Sequence, residues 1–383
     1  MPRNIAVVTS SRADFSHLYW VLRELQEEAA VDLSLYVMGA HLSAEFGTTV
    51  SEIEDAGFEV AERVECLLSS DSDVGMAKTI GVATMSFADL FGRSRPDLLL
   101  LIADRYEMLA PASAALALRI PMAHIEGGEV SEGAIDHAVR NALTMMSHVH
   151  FVPTQTAQQR VLAMGEEAWR VHQVGAPSLD HLSRSTLRQR SDLEEELGID
   201  LSRDTAVVAY HPVTLSRDTT TEADEVFAAL ERLQLQVVFC FPNSDAGSRD
   251  LIDRAGRFCE ERGDAHLFVN LDPITYWSLL QHANVVLGNS SSGIMETPSL
   301  ALPTVNIGIR QDGRERAANV IDVAPHADDI VAGVDKASSR EFRDSLSGMV
   351  SPYGDGTAAQ QIAAVLRDVE LEKLLVKRVA PLP

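Results

Sequence analysis

Short apolar runs alternate with longer mixed stretches along nearly the whole chain. Runs rich in Val, Ile and Leu that end at Gly, Ser, Asp or Pro are expected to be buried strands, and helical periodicity between them predicts helices. The first half then carries strands at 5–9, 33–38, 58–64, 98–102, 122–125, 149–152 and 170–174. Helices are expected at 15–28, 74–91, 106–118, 135–147 and 156–164. A polar, charge-rich stretch at 183–204 interrupts the pattern, with one helical turn or two near 192–197. The alternation then resumes with strands at 206–210, 237–241, 266–269, 285–287 and 304–307, and helices at 222–232, 248–261 and 274–282. Strand–helix alternation of this kind belongs to parallel sheets covered on both faces, so the fold class is α/β.

At 383 residues the chain exceeds one compact core and suits two. The expected division is an N-terminal domain at 1–180, a second domain at 181–356, and a tail helix at 357–375 within 357–383 that crosses back onto the first. Two such halves facing a central cleft would place a ligand at the carboxyl ends of their strands. No apolar run is long enough to span a bilayer, and Met1-Pro2-Arg3-Asn4 leads straight into a strand without the apolar core of a signal peptide. Cys66, Cys240 and Cys259 are odd in number and far apart, which suits reduced thiols in the cytoplasm better than a disulfide frame. The formal net charge is −24, a field that repels nucleic acid and anionic membranes alike. A phosphate-bearing ligand would therefore need locally placed Arg, His and backbone N–H groups.

Four constellations could supply them. Ser10-Ser11-Arg12-Ala13-Asp14-Phe15-Ser16 lies where the first strand gives way to a helix, a position that favours an anion. Its plainer reading is an N-capping Asp14 beside a solvated Arg12. It lacks the glycines of a dinucleotide loop. Ala103-Asp104-Arg105-Tyr106-Glu107 follows the very apolar strand at 98–102, with a cap and a structural ion pair as the alternative. His124-Ile125-Glu126-Gly127-Gly128-Glu129 continues to Asp136, His137 and Arg140, and carboxylates converging there could divide acid and base roles. His, Glu and Asp so close together could also suggest a metal, but no pattern of ligand spacing supports one. In the second half, strands end at His211-Pro212, at Pro242-Asn243-Ser244-Asp245-Ala246-Gly247, and at Gly288-Asn289-Ser290-Ser291-Ser292-Gly293, with Glu296 close behind and Arg310 and Arg314 after the next strand. Small residues and free N–H groups at strand ends suit a phosphate, although one Ser/Gly loop alone is weak support.

Taken in order, these segments resemble the hydrolysing UDP-N-acetylglucosamine 2-epimerases. The likeness also includes Val130-Ser131, Gly175-Ala176-Pro177-Ser178 and Asn306-Ile307-Gly308-Ile309-Arg310-Gln311, and it spans Ile5 to about Val323. It implies two Rossmann-like domains in the GT-B arrangement. Asp104, Glu126 and Asp136 match the family's catalytic carboxylates. Arg12, Ser16 and Arg105 would meet the nucleotide sugar from the first domain, and His211, Asn243, Ser290, Ser291, Glu296 and Arg310 would hold UDP from the second. No cofactor and no metal are implied, and a homodimer or homotetramer is. The expected reaction releases UDP and N-acetylmannosamine through a 2-acetamidoglucal. The nearest alternative is the same reaction on a UDP- or GDP-linked 2,4-diacetamido-trideoxyhexose; a non-hydrolysing epimerase, a GT-B glycosyltransferase and a catalytically silent sensor stand further off. Two positions depart from the family: Ala103 stands where Gly is common, and Asn141 where His is common. One consequence is directly measurable. Turnover should persist undiminished in excess chelator, whereas loss with recovery on adding back one divalent ion would place a metal in the site.

Overall fold

The computed structural model describes residues 2–44, 47–68, 72–131, 135–211, 220–241, 248–269 and 271–378. The chain forms two compact units. The first comprises Met1–Glu129, Asp136–Asp180 and Gly356–Pro383, and the second Val130–Ile135 with His181–Asp355. Among the described residues no helix is long and apolar enough to cross a membrane.

The first unit is built on seven strands: β1 (Arg3–Thr9), β2 (Val31–Met38), β3 (Val60–Val64), β4 (Leu98–Ile102), β5 (Met122–Ile125), β6 (Val149–Val152) and β7 (Val171–Gln173). Their order is β3-β2-β1-β4-β5-β6-β7, and every neighbouring pair is parallel. The two-residue period of a strand divides the core. Ile5, Val7, Leu98 and Leu100 pack against the helix Arg12–Glu27 on one face, while Ala6, Val8, Leu99 and Leu101 meet Phe87 and Phe91 of the helix Asp73–Ser94 on the other.

The second unit repeats the plan with β8 (Thr205–Ala209), β9 (Gln236–Phe241), β10 (Ala265–Val269), β11 (Val285–Gly288), β12 (Thr304–Ile307) and β13 (Val320–Val323). The order is β10-β9-β8-β11-β12-β13, again parallel throughout. Both sheets thus have the doubly wound Rossmann order, in which the winding reverses between two central strands: β1 and β4 in the first sheet, β8 and β11 in the second.

Sequence periodicity locates most of these elements, with instructive differences. The first helix starts at Arg12, earlier than expected, because extended Ser11 caps it and its hydroxyl accepts the Asp14 N–H at 3.4 Å. Asp14 is therefore inside the helix rather than its N-cap. Its carboxylate turns back to accept from the Ser10 N–H at 3.1 Å and the Ser10 hydroxyl at 2.6 Å. The expected tail helix stops at Asp368, followed by a short 3-10 turn at Leu371–Lys373. Arg3 donates to the carbonyls of Leu366 and Val369, satisfying the end of that helix with a cation.

The tail is fixed to the first unit at both ends. Asp180, fully buried, accepts the N–H of Ala358 at 3.0 Å and of Ala359 at 2.6 Å, so it caps the helix Ala358–Asp368 from another part of the chain. Ile362, Leu366 and Leu374 complete the core beside Ile5 and Leu18. Arg170, 1% exposed, donates to the carbonyls of Leu374 and Val376 as well as His148. Replacing Asp180 by Ala orphans two buried N–H groups and should destabilise the first unit by about 2–3 kcal/mol. Denaturant titration followed by Trp fluorescence reads this, and an unchanged midpoint would show that the cap contributes nothing.

Candidate functional site

Where the winding of a doubly wound sheet reverses, the loops leaving the two central strands part toward opposite faces and open a crevice at the strand ends. In the first unit those ends carry the residues predicted for chemistry. Ser10 to Ser16 follow β1, Asp104 and Arg105 follow β4, and Glu126 follows β5. Because Ile102 pairs with Ile125, Asp104 and Glu126 lie just beyond adjoining strand ends.

The centre of this group is Arg140, only 2% exposed, on the helix Asp136–Met146. It forms an ion pair with Asp104. Burial opposes its charge, but Asp104, Glu129 and Glu126 more than offset that cost and raise its pKa above the ordinary value. Its Nε and Nη1 are buried without a hydrogen-bond partner among the described residues. Asp136 begins the same helix one turn before Arg140, on the same face.

Glu126 is 4% exposed and backbone-strained, with φ +65°, and its N–H donates to the Phe151 carbonyl at 2.8 Å. Its Oε1 lies 2.8 Å from Nδ1 of His17 on the first helix. Ala103 is likewise left-handed, at φ +56°, and donates its N–H to Ile125 at 3.0 Å. A side chain at such a φ costs of order 1–3 kcal/mol, so glycine would be the less strained residue at this turn. The Ala103 carbonyl can only accept, so Nε2 of His124, 2.8 Å away, carries the hydrogen, and Nδ1 accepts from the Thr144 hydroxyl at 3.1 Å. Burial depresses the His124 pKa to about 4, so this ring is a neutral brace for the β4 and β5 turns. Gly128 is required for a different reason: at φ +78° a Cβ would stand 2.3 Å from the Ala157 carbonyl oxygen.

Both predicted ligand arginines of this unit are paired with carboxylates. Arg12 grips Glu52 through both of its ends, with Nε donating at 2.8 Å, and Arg105 donates to Glu107 at 3.1 Å. Ser16 stands one turn after Arg12 on the same helix. Of His17 and Arg140, the sequence named only Arg140, beside Asp136 and without a role of its own. Arg140 had a signal in its spacing from Asp136, but His17 is an ordinary helix position whose partner lies far along the chain.

In the second unit the residues gather around Asn289, which is fully buried after β11. Its side chain accepts the His211 N–H at 2.7 Å and donates to the His211 carbonyl at 2.8 Å, tying the ends of β8 and β11 together. Its own carbonyl accepts from Arg310 at 2.8 Å and Gln311 at 2.7 Å. Ser290 and Ser291 therefore leave a loop whose origin is clamped from both sides. Gly288 permits the close crossing, since a Cβ would fall 2.1 Å from the Ala209 carbonyl oxygen. Glu296 accepts the Ser292 hydroxyl at 2.5 Å, and Ser292 in turn accepts from Tyr276 at 2.9 Å. Arg314 donates to the Val130 carbonyl at 2.9 Å and the Ser131 hydroxyl at 3.3 Å, holding the segment that follows Glu129. Asn243 and Pro212 lie outside the described residues. Among the described residues no three His, Cys, Asp or Glu side chains cluster as a metal site.

Known proteins are similar to this chain over nearly its whole length. A hydrolysing GDP/UDP-N,N'-diacetylbacillosamine 2-epimerase of Campylobacter jejuni is 34% identical over 98% of both chains. A hydrolysing UDP-N,N'-diacetylbacillosamine 2-epimerase of Legionella pneumophila is 36% identical over 99% of both. The fold is that of the UDP-GlcNAc 2-epimerase of Neisseria meningitidis solved with UDP-GlcNAc, at a TM-score of 0.79 and 18% identity, covering 95% of this chain and 99% of that one. The profile of the UDP-N-acetylglucosamine 2-epimerase family matches residues 23–367, and the chain belongs to that family of sugar-nucleotide enzymes.

Proposed function

We propose that the chain is a hydrolysing 2-epimerase whose substrate is a UDP- or GDP-linked 2,4-diacetamido-2,4,6-trideoxyglucose, rather than the UDP-N-acetylglucosamine expected first from its motifs. The observation that carries this choice is the full-length similarity to two hydrolysing epimerases named for diacetylbacillosamine. The products would be the free 2,4-diacetamido-2,4,6-trideoxymannose and the nucleoside diphosphate, a step toward a sialic-acid-like sugar. With this go a cytoplasmic location, which three free thiols suit, and assembly as a homodimer or homotetramer as the family resemblance implies.

The chemistry follows from the assigned roles. The C2 proton is weakly acidic, so a positioned carboxylate must remove it as the C1–O bond breaks. The C2–H electron pair becomes the C1=C2 double bond, and the C1–O pair leaves with the diphosphate. Water then adds at C1 while a proton returns to the opposite face of C2. Asp104, Glu126 and Asp136 serve this step, with Arg140 holding Asp104 in place. Arg12, Ser16 and Arg105 are assigned to the sugar nucleotide in the first unit; engaging it would require Arg12 to exchange Glu52 for the ligand. His211, Asn243, Ser290, Ser291, Glu296 and Arg310 are assigned to the nucleoside diphosphate in the second, where charge-assisted contacts stabilise the leaving group.

Product analysis with both substrates tests the choice. The diacetamido sugar nucleotide should be turned over with the higher kcat/KM, whereas preference for UDP-N-acetylglucosamine would restore the first expectation. In D2O the released sugar should carry deuterium at C2 and the manno configuration; retained gluco configuration means simple hydrolysis. Asp104→Asn, Glu126→Gln and Asp136→Asn should each lower kcat by roughly 100-fold or more, with kcat/KM falling alongside. A raised KM at normal kcat would make them binding residues instead. Arg310→Ala should weaken nucleoside diphosphate binding by about 1.5–3 kcal/mol, read by calorimetry on the folded variant.

A further inference from the structure

We propose that the outer face of the helix Asp73–Ser94 is where a second copy of this chain docks, the two helices packing antiparallel about a two-fold axis level with Thr84. The inference deepens the oligomeric expectation above, on which it rests, and is independent of the choice of substrate. The helix covers one face of the first sheet, with Ala83, Phe87, Leu90 and Phe91 turned into the core. Its outward positions keep the same period: Val74, Ala77, Gly81, Met85, Ala88 and Gly92 are all exposed. Val74 is 58% exposed and Met85 65%. Leu116, 50% exposed, extends this apolar surface on the neighbouring helix Leu109–Leu118, whose last carbonyl accepts from Arg95 at 3.2 Å.

Two features point to a copy of the chain rather than to another partner. The first is charge. Lys78 and Asp89 are exposed along one edge of the apolar stripe, eleven residues and so three turns apart. A two-fold axis level with Thr84 sets Lys78 of each copy opposite Asp89 of the other, so the face complements itself. The contact is then neutral, whereas the whole chain carries −24 and repels its own kind as it repels an anionic membrane. The second feature is glycine. Gly81 and Gly92 lie within a helix, where each is less favourable than Ala. The first unit does not require them, since a Cβ at either would meet nothing within 4 Å. A bare stripe lets a second backbone approach closely, and Met85 of each copy then packs into the gap beside Gly81 of the other.

Sedimentation velocity on the full chain over a dilution series decides the matter, with turnover of the sugar nucleotides read separately. Wild type should associate. Lys78→Glu and Asp89→Lys should each raise the dissociation constant at least about tenfold, because every like-charge contact occurs twice across the axis. Combining the two substitutions should return it to within about threefold of wild type. Gly81→Leu should abolish association while the thermal midpoint of the monomer holds, since its own unit leaves that position open. Should wild type be a tetramer, Gly81→Leu should leave dimers, which equally supports the surface. A wild type that stays monomeric overturns the proposal and the oligomeric expectation with it. Association that survives Gly81→Leu overturns the surface alone, and single substitutions that their combination fails to rescue overturn the antiparallel pairing. The choice of substrate stands or falls on turnover, whatever the sedimentation shows.

Discussion

Arg140 cannot shed its charge, and it sits where water does not reach. A guanidinium in that position has to be met by anions, and the first unit supplies Asp104 directly with Glu126 and Glu129 close enough to be felt. Each of those carboxylates would by itself be costly to bury. Arg140 makes their company tolerable, and they in turn hold it. Much of the local backbone can be understood as serving this cluster. The left-handed turns at Ala103 and Glu126, the neutral His124 brace between them, and the glycine against Ala157 all shape the two strand ends that present the carboxylates.

The second unit meets a different demand with the same sheet order. There the central element is an amide rather than a charge. Asn289 joins the two central strands at their carboxyl ends, and its backbone oxygen collects Arg310 and Gln311. The amide adds no anion of its own beside the loop at Ser290 and Ser291, and Arg310 stands next to it, which suits a ligand that brings its own negative charge.

How far the sequence discloses this depends on whether a feature is local. Strands such as β4 and β5 are legible because burial on both faces forces a continuous apolar run, and the residues just after them are candidates wherever strands are parallel. Strand β13 is not, since Asp322 interrupts four residues that form an edge. The helices Val50–Asp55, Ala327–Ser338 and Arg340–Ser345 also escape, being short or flanked by turns that carry no strong signal. Asp104, Glu126 and Asp136 stand out through ordered motifs. His17 does not, because its meaning lies in a partner on another strand end, and Asp180 is silent for the same reason. The commitment of Arg12 to Glu52 is equally a property of the folded chain.

The tail bears on how the protein comes to be folded on the ribosome. Residues Ile362, Leu366 and Leu374 belong to the core of the first unit, yet they are synthesised after everything in the second. Until they emerge, the apolar surface of the first helix and β1 lies open to solvent, the buried carboxylate of Asp180 has no amides to accept from, and Arg170 lacks most of its carbonyls. The second unit can close while the first still waits. Until then the nascent chain exposes apolar surface that the finished first unit buries.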